Sequence, residues 1–309
     1  MAKEYTAVMF KTLWSFIKWQ FRLRQSEKNN DRPYAPEYAQ PNLEKINNPD
    51  PAKIQLTWIG HSTFLIQFAG LNILTDPIWS ERASPVQWAG PKRFARAGLR
   101  FDHLPKIDVV LISHTHYDHL DRNTILRLGN APHYILPENL GEWFRKRGID
   151  TVTELSWWNT TQIGALKITA VPAKHWSKRR VFGTEDHGWG GYVIETPAGT
   201  VYFVGDTGYH CEYFKEIGKR VPNIDLALVP IGAYYPRTIF GSFHIDPHEA
   251  VVIHTEVGAK RSIGMHWGTF KLTQEPLDEP PLELARQLSA IGVPQERFSV
   301  MKIGETAEF

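Results

Sequence analysis

Short runs of apolar, β-favouring residues recur along this chain between glycine and polar residues, and that pattern predicts β-strands. Runs rich in β-branched and aromatic residues, with glycine between them, predict strands at residues 56–59, 63–68, 72–75 and 107–112. Later runs of the same kind predict strands at residues 162–170, 192–195, 201–204, 226–229, 262–265 and 298–303. Short strands are therefore expected to dominate both halves of the chain.

Helical patterns follow each group of strands, at residues 123–128, 142–147 and 281–290. The clearest helix start is Asp246, which Pro247 and Glu249 follow. Aspartate as the N-cap, proline at the first helical position and glutamate at the third form a capping box. Two strand-rich halves, each closed by helices, predict an α/β (α+β) fold. In this fold two sheets pack face to face with helices outside, giving a four-layer αββα sandwich.

The first 26 residues follow a different pattern, that of a basic amphipathic helix. Residues 5–26 contain no acidic side chain, and lysine and arginine lie opposite an apolar face of Phe10, Leu13, Trp14, Ile17 and Phe21. Such a helix either lies in a membrane interface or docks on the protein's own body or on a partner subunit. Residues 27–53 are polar and rich in proline and asparagine, which predicts an extended linker. The main domain is therefore expected at residues 54–309.

Net charge, cysteine count and tryptophan content limit the classes of function that the chain can have. The 309 residues include 35 Lys and Arg against 33 Asp and Glu, a formal net charge of +2, so no overall charge favours nucleic acid. The single cysteine, Cys211, excludes an intramolecular disulfide framework and fits a reducing compartment, so we expect a cytoplasmic protein. The eleven tryptophans suit an apolar ligand groove or an interface, and they equally suit core packing.

The strongest chemical signal lies directly after the predicted strand 107–112. Four potential metal ligands, His114, His116, Asp118 and His119, follow one another within six residues. Imidazole and carboxylate groups are costly to bury without partners, and zinc or a similar transition metal satisfies them. Two of the ligands lie two residues apart and the other two are adjacent, a split that indicates two metal ions. The alternative, a surface turn that happens to be rich in His and Asp, is the weaker interpretation.

This stretch resembles the His-x-His-x-Asp-His signature of the metallo-β-lactamase superfamily. The resemblance implies a sandwich fold of that type and a site completed further along the chain. The residues that match in order are His175, a bridging Asp206 and His266, each just past a predicted strand. His61 and Asp76 also end predicted strands, and we expect them to orient the ligands rather than to bind metal.

A closer resemblance, to the N-acylphosphatidylethanolamine-hydrolysing phospholipase D family, covers about residues 55–309. It rests on the stretches at residues 74–78, 82–94, 205–209, 216–220, 230–234 and 266–270. The family cleaves N-acylphosphatidylethanolamine to N-acylethanolamine and phosphatidate with two zinc ions, so the resemblance implies two Zn²⁺ per chain. One zinc would take His114, His116 and His175. The other would take Asp118, His119 and His266, and Asp206 would bridge the two.

The same resemblance implies roles around the metals. Asp118 and Asp206 would be catalytic as well as ligating, and Gln87 would contact the lipid phosphate. His244 matches a position at the mouth of the active site, where it would be a catalytic acid or, equally well, a surface histidine at a helix entry. The residue before it is Phe243, where the family has glutamine, and we expect Phe243 and Trp88 to line an apolar groove. The basic run 178–180 would bind a lipid phosphate or belong to a solvated loop.

The sequence therefore predicts a zinc-dependent phosphodiesterase that acts on a phospholipid through a metal-bridging hydroxide, peripherally associated with a membrane surface. A metallo-hydrolase of the same fold acting on a lactone or on a nucleotide or sugar phosphodiester is the main alternative. A membrane-binding protein without turnover is a second alternative, which the complete ligand set disfavours. No nucleic-acid partner is expected, and a homodimer is left open.

Overall fold

The structure is a computed structural model, and it describes residues 34–179 and 187–309. The amphipathic helix predicted at residues 1–26 lies outside the described residues, so its existence and its membrane role stay predictions. In the part of the chain that is described, no helix is long and apolar enough to cross a bilayer.

Two seven-stranded sheets form the centre of the fold. The first contains β1 (Gln55–Gly60), β2 (Thr63–Phe68), β3 (Leu71–Thr75), β4 (Val109–Leu111), β5 (His133–Pro137), β6 (Val152–Leu155) and β14 (Thr306–Glu308), in the order β14-β1-β2-β3-β4-β5-β6. The second contains β7 (Thr160–Ile163), β8 (Leu166–Val171), β9 (Gly191–Thr196), β10 (Gly199–Phe203), β11 (Leu226–Pro230), β12 (Arg261–Met265) and β13 (Phe298–Ser299), in the order β13-β12-β11-β10-β9-β8-β7. Each sheet is mixed, because antiparallel strands at one side continue into parallel strands at the other.

Helices cover the outer faces of the two sheets. They are α1 (Leu43–Asn47), α2 (Arg122–Leu128), α3 (Gly141–Arg145), α4 (Cys211–Arg220), α5 (Arg237–Phe240), α6 (Pro247–Glu256) and α7 (Glu279–Ile291), with a 3₁₀ turn at Phe101–His103. The predicted capping box of α6 is present: the Asp246 carboxylate accepts from the Glu249 N–H at 2.9 Å, and the Glu249 carboxylate accepts from the Asp246 N–H at 3.1 Å.

Alternation along the strands separates two cores. Trp58, Phe64 and Ile66 point between the sheets, where they share a fully buried cluster with Phe203 and Leu228 of the second sheet. Each such side chain contributes about 1.5–3 kcal/mol by leaving water.

The intervening residues of the first sheet, among them Ile59 and Leu65, point to the opposite face. There they pack with Ile125 of α2 and Phe144 of α3. The second sheet packs in the same way against Phe214 of α4 and against the other helices on its side. The predicted αββα sandwich is thus confirmed.

Some element predictions were wrong, because a glycine turn interrupts the expected strand. The strand predicted at 162–170 is a hairpin, since Gly164 takes a left-handed φ of 55° between β7 and β8. The strand predicted at 298–303 is confined to β13, and Gly304 with φ 89° turns the chain so that β14 joins the other sheet. Strands β5, β6 and β14 and helices α1, α4 and α5 were not predicted.

Residues 34–53 pack on the domain, whereas the sequence predicts an extended linker there. Ile46 of α1 is fully buried, and its carbonyl accepts a hydrogen bond from Gln67 Nε2 at 2.9 Å. Further upstream, the Ala39 N–H donates to the Ile303 carbonyl at 2.9 Å. Residues 34–53 therefore pack on the domain as part of its structure. The domain limits at residues 26 and 53 stay predictions.

The topology brings four strand ends to one edge of the sandwich. In the second sheet β8, β10 and β12 run in the same direction, so the residues that follow them emerge together. The loop after β4 of the first sheet reaches the same edge. These four loops carry the predicted ligands.

Candidate metal centre

The loop after β4 folds into a turn that directs its polar side chains to one side. The N–H groups of His119 and Leu120 both donate to the His116 carbonyl, at 3.1 and 2.9 Å. The turn ends at Asp121, whose carboxylate accepts from the Asn123 N–H at 3.2 Å and so caps α2. Strand, turn and capped helix thus fix the backbone on both sides of the predicted ligands.

Three imidazoles form the first ligand group. His114 Nε2 lies 2.8 Å from His116 Nδ1, and His175 Nε2 lies 3.3 Å from the same atom. One ring nitrogen of each residue lies within 4.8 Å of a ring nitrogen of each of the other two, so all three could bind one metal ion. A cluster of three imidazole nitrogens is a typical donor set for zinc and related metals.

Asp118, His119 and His266 form the second ligand group. Asp118 Oδ2 lies 3.3 Å from His119 Nε2 and 3.4 Å from His266 Nε2. The mixed set of carboxylate and imidazole donors also suits a transition metal.

Asp206 lies between the two groups. Its Oδ2 atom is 3.2 Å from His119 Nε2 and 3.1 Å from His266 Nε2. The same oxygen is 3.9 Å from His114 Nε2 and 4.0 Å from His175 Nε2. Its position therefore matches that of the expected bridging carboxylate.

Hydrogen bonds behind the ligands fix the orientation of their rings. Asp76 Oδ2 lies 2.7 Å from His119 Nδ1, and Asp76 Oδ1 accepts from the Ser113 N–H at 2.7 Å. The Ser113 hydroxyl lies 2.9 Å from His114 Nδ1, and His175 Nδ1 donates to the Phe243 carbonyl at 2.9 Å. Because the Nδ1 side of each of these rings is engaged, Nε2 is left to face the centre.

His61 contacts the second group through both its side chain and its main chain. Its Nε2 lies 2.9 Å from Asp118 Oδ2, and its carbonyl accepts from the His266 N–H at 3.1 Å. His61, Asp76 and His266 all have a positive φ, of 55°, 32° and 62°. Side chains other than glycine take this conformation at a cost, and it is concentrated at functional sites.

Burial keeps the three histidines of the first group neutral. Burial lowers the pKa of His116 to about 3 and that of His175 to about 4, and it holds the pKa of His114 well below its usual range. The three imidazoles are therefore unprotonated at neutral pH, as metal ligands must be.

In the second group, neighbouring carboxylates raise the pKa values of the histidines instead. Burial lowers the pKa of His266, but the Asp206 and Asp118 carboxylates outweigh it and raise that pKa to about 9. The pKa of His119 rises well above its usual range for the same reasons. Burial raises the pKa of both carboxyl groups, yet the neighbouring histidines hold both well below the usual range. Asp118 and Asp206 therefore favour a positive charge beside them, and a bound cation would supply that charge.

The donor set fits a metal because several of its atoms have no hydrogen-bond partner. Among the described residues these buried atoms include Nε2 of His116, His119 and His266 and Oδ1 of Asp206. An unsatisfied buried polar group costs about 1–3 kcal/mol, and four such atoms on neighbouring residues are hard to explain by packing. Divalent cations would be held by the two groups with Asp206 between them.

Aromatic side chains surround the open side of the centre. The Trp176 ring lies 4.3 Å from the His116 ring and 6.2 Å from the Phe243 ring, in both cases edge to face. His244 follows Phe243, and its Nδ1 lies 3.8 Å from Asp206 Oδ2. The sequence analysis did not identify Trp176, although its place directly after His175 was a signal for it.

Gln87 and Trp88 lie on a separate loop. The Gln87 side chain folds back on its own loop, where it accepts from the Arg82 N–H at 3.1 Å and donates to the Arg82 carbonyl at 3.2 Å. The Trp88 side chain is 82% exposed. The structure thus brings together the seven expected ligands, His244 and Phe243, while substrate contacts by Gln87 and Trp88 stay predictions.

We predict that added zinc raises the melting temperature of the metal-free protein. A ligand that binds only the folded state adds about 2.7 kcal/mol of stability when its free concentration is 100 times Kd. Asp206→Asn should reduce the rise strongly, because both ligand groups lose their shared carboxylate. Asp102→Asn is the matched control, since Asp102 is exposed and paired only with Arg100 at the surface. An equal rise in Asp206→Asn and in the unaltered chain would contradict the assignment.

Comparisons with known proteins agree with this geometry. A family model described as a Beta-lactamase superfamily domain matches residues 71–267. Over 250 residues the chain is 39% identical to N-acyl-phosphatidylethanolamine-hydrolyzing phospholipase D 1 of Caenorhabditis elegans, which covers 76% of this chain and 69% of that protein. It is 30% identical over 258 residues to a metal-dependent hydrolase of Methanopyrus kandleri, covering 82% of this chain and all of that protein.

A solved structure shows the same fold. The chain superposes on a metallo hydrolase from the archaeon Ignicoccus hospitalis with a TM-score of 0.63 at 22% identity, covering 83% of this chain and 98% of that one. The relatives and the metal-binding cluster together identify a metal-dependent hydrolase. The chain therefore belongs to the metallo-β-lactamase superfamily and, within it, to the family of N-acylphosphatidylethanolamine-hydrolysing phospholipases D.

Proposed function

We propose that the protein is a two-zinc phosphodiesterase of the phospholipase D type. Its substrates would be phospholipids of the N-acylphosphatidylethanolamine kind, and its products N-acylethanolamine and phosphatidate. The observation that carries the proposal is the position of Asp206 between two ligand groups, one all imidazole and one mixed. Family membership supports the substrate class.

Two cations held by these groups would neutralise the phosphodiester and lower the pKa of water toward about 7. The chain's own residues prepare the site for that chemistry. The neutral imidazoles of the first group need no deprotonation before they bind. Asp76 and Ser113 hold the rings of His119 and His114 in place, so little reorganisation is needed when an anionic substrate arrives.

His244 is placed to contact the reacting phosphate. Its side chain is 14% exposed, and its Nδ1 is buried without a hydrogen-bond partner among the described residues. Burial holds its pKa well below the usual range, so the ring is neutral at pH 7 and can offer one N–H. We infer that this N–H donates to a phosphate oxygen or to the leaving oxygen.

The aromatic mouth suits the apolar part of a lipid. Trp176 and Phe243 lie beside the first ligand group and are partly exposed, so they offer apolar surface next to the centre. Burial of such surface contributes about 25 cal/mol per Å². With the acyl chains of the diacylglycerol moiety held there, the ester on the ethanolamine side would be the one in line for attack.

We predict that hydrolysis of N-acylphosphatidylethanolamine in oxygen-18 water places the label in phosphatidate. Water would attack phosphorus, the atom that bound cations would polarise, and the N-acylethanolamine would leave. Mass spectrometry of the products measures the label. Diacylglycerol as the product would show that the opposite ester is cut. Label in a free fatty acid would show attack on carbonyl carbon and would overturn the phosphodiesterase proposal.

A second prediction concerns His244. His244→Ala should lower kcat by roughly 10²–10³-fold, the range expected when one hydrogen-bond donor to the charge of the transition state is lost. Metal content should stay the same, because the two ligand groups are complete without His244. His248→Gln is a control on the same segment, since His248 is exposed and pairs with Gln287. Loss of metal from His244→Ala would assign the residue to the ligands, contrary to the proposed role.

A further inference from the structure

His244 reaches the metal centre from the short connection between α5 and α6. Main-chain hydrogen bonds hold the residues on both sides of it. The Phe243 carbonyl accepts from His175 Nδ1 at 2.9 Å, and the Ile245 N–H donates to the Thr207 carbonyl at 2.8 Å. The position of the His244 ring therefore depends on how the main chain between these two contacts is fixed.

Arg237, the first residue of α5, holds that part of the main chain with its side chain. Its Nη1 donates to the His244 carbonyl at 2.6 Å, and its Nη2 donates to Glu249 Oε2 at 2.7 Å. Its Nε lies 3.4 Å from Asp246 Oδ2. Both carboxylates belong to the capping box at the start of α6. One guanidinium thus joins the start of α5, the carbonyl of His244 and the start of α6.

The shape of the guanidinium suits this position. Its planar fork presents several N–H donors in fixed directions, whereas a lysine ammonium is a single compact charge on a flexible stem. Gly241 leaves room for the fork, because an added Cβ there would lie 3.2 Å from both Cζ and Nη2 of Arg237. The Arg237 side chain is 33% exposed, so water competes only in part for its hydrogen bonds.

Helix capping alone does not explain the third contact of Arg237. The capping box is complete within Asp246 and Glu249, since each side chain accepts from the main-chain N–H of the other. The bond to the His244 carbonyl is additional to it, and it acts on the residue whose ring lies 5.2 Å from that of His175. Because a misplacement of about 1 Å can cost roughly 10²-fold in rate, this bond has a consequence for the centre.

We propose that Arg237 is a positioning residue for His244. By fixing the His244 carbonyl between α5 and α6, it keeps the imidazole beside Asp206, where Nδ1 lies 3.8 Å from Oδ2. Arg237 acts through His244 and not by contact with the substrate. The proposal rests on the proposed function for its substrate, but the placement of the imidazole needs no turnover.

A double-mutant cycle of Arg237→Lys and His244→Ala in the zinc-loaded full chain tests this role. With N-acylphosphatidylethanolamine as substrate, we expect Arg237→Lys to lower kcat about tenfold and to leave KM nearly unchanged, because the donor is kept but misplaced. In the His244→Ala background the same substitution should have almost no effect, since the group that it positions is absent. Arg286→Lys is the matched control, because Arg286 is exposed and pairs with Glu283 on α7.

The same loss of kcat from Arg237→Lys in both backgrounds would overturn the proposal, because Arg237 would then act on the fold as a whole. Loss of zinc from Arg237→Lys would also overturn it, because the arginine would then support the ligands and not His244.

Hydrogen exchange of the metal-free protein gives a readout without catalysis. The N–H groups of His244 and Ile245 are both in main-chain hydrogen bonds, to the carbonyls of Phe240 and Thr207. We expect Arg237→Lys to make exchange at these two groups on the order of tenfold faster, while exchange in the two sheets stays the same. Unchanged exchange at His244 and Ile245 would show that Arg237 does not hold this part of the chain, and the proposal would fail.

Calorimetric titration of the zinc-loaded chain with inorganic phosphate separates this proposal from the proposed function. We expect His244→Ala to weaken phosphate binding about tenfold, Arg237→Lys to weaken it in part, and the double variant to match His244→Ala. If that pattern holds while N-acylphosphatidylethanolamine stays intact, the phosphodiesterase proposal fails and the positioning role stands. If Arg237→Lys hydrolyses the lipid and binds phosphate as the unaltered chain does, the positioning role fails and the phosphodiesterase proposal stands.

Discussion

The structure depends on one buried carboxylate, that of Asp206, held among imidazoles from both sheets. A lone ionised carboxylate could not be buried in this way at a tolerable cost. Its neighbours come from the loop after β4 in the first sheet and from the loops after β8 and β12 in the second. Gly205, with φ 68°, lets the Asp206 loop approach the motif closely, because a Cβ there would lie 2.9 Å from the Ser113 Cβ. The site therefore fixes how the two sheets meet at this edge.

The location of the metal centre follows from the positions of the loops at one edge of the sandwich. The strands, which bury apolar side chains, form a rigid frame. Strands β8, β10 and β12 end at the same edge of the sandwich, so the polar residues that follow them lie close together there. Residues behind them, such as Asp76 and His61, keep the rings oriented and accept backbone strain to do so. The open side carries Trp176 and Phe243 instead of polar groups. The metal-binding cluster thus faces an apolar mouth, which fits the lipid substrate that we propose.

Much of the fold and of the site could be predicted from the sequence, because both depend on local pattern. Short runs of apolar, β-favouring residues predicted most strands of the sandwich, and His and Asp residues at the strand ends predicted the ligands. The hairpin at 162–170 was missed because Gly164 interrupts an otherwise continuous run. The packing of residues 34–53 was missed because one buried side chain, Ile46, leaves little pattern in a polar stretch. Trp176 was missed because tertiary packing sets its distance to His116, and its position directly after His175 was the one signal in the sequence.

The most direct measurement is a metal titration of the chelator-treated protein with N-acylphosphatidylethanolamine hydrolysis as the readout. Zinc is added in fractions of an equivalent, and metal content and initial rate are measured at each point. The account predicts no hydrolysis without metal and a rate that rises until about two ions are bound per chain, since Asp206 Oδ2 lies within 3.2 Å of the second ligand group and 4.0 Å of the first. Full hydrolysis with one ion per chain, or with none, would contradict it.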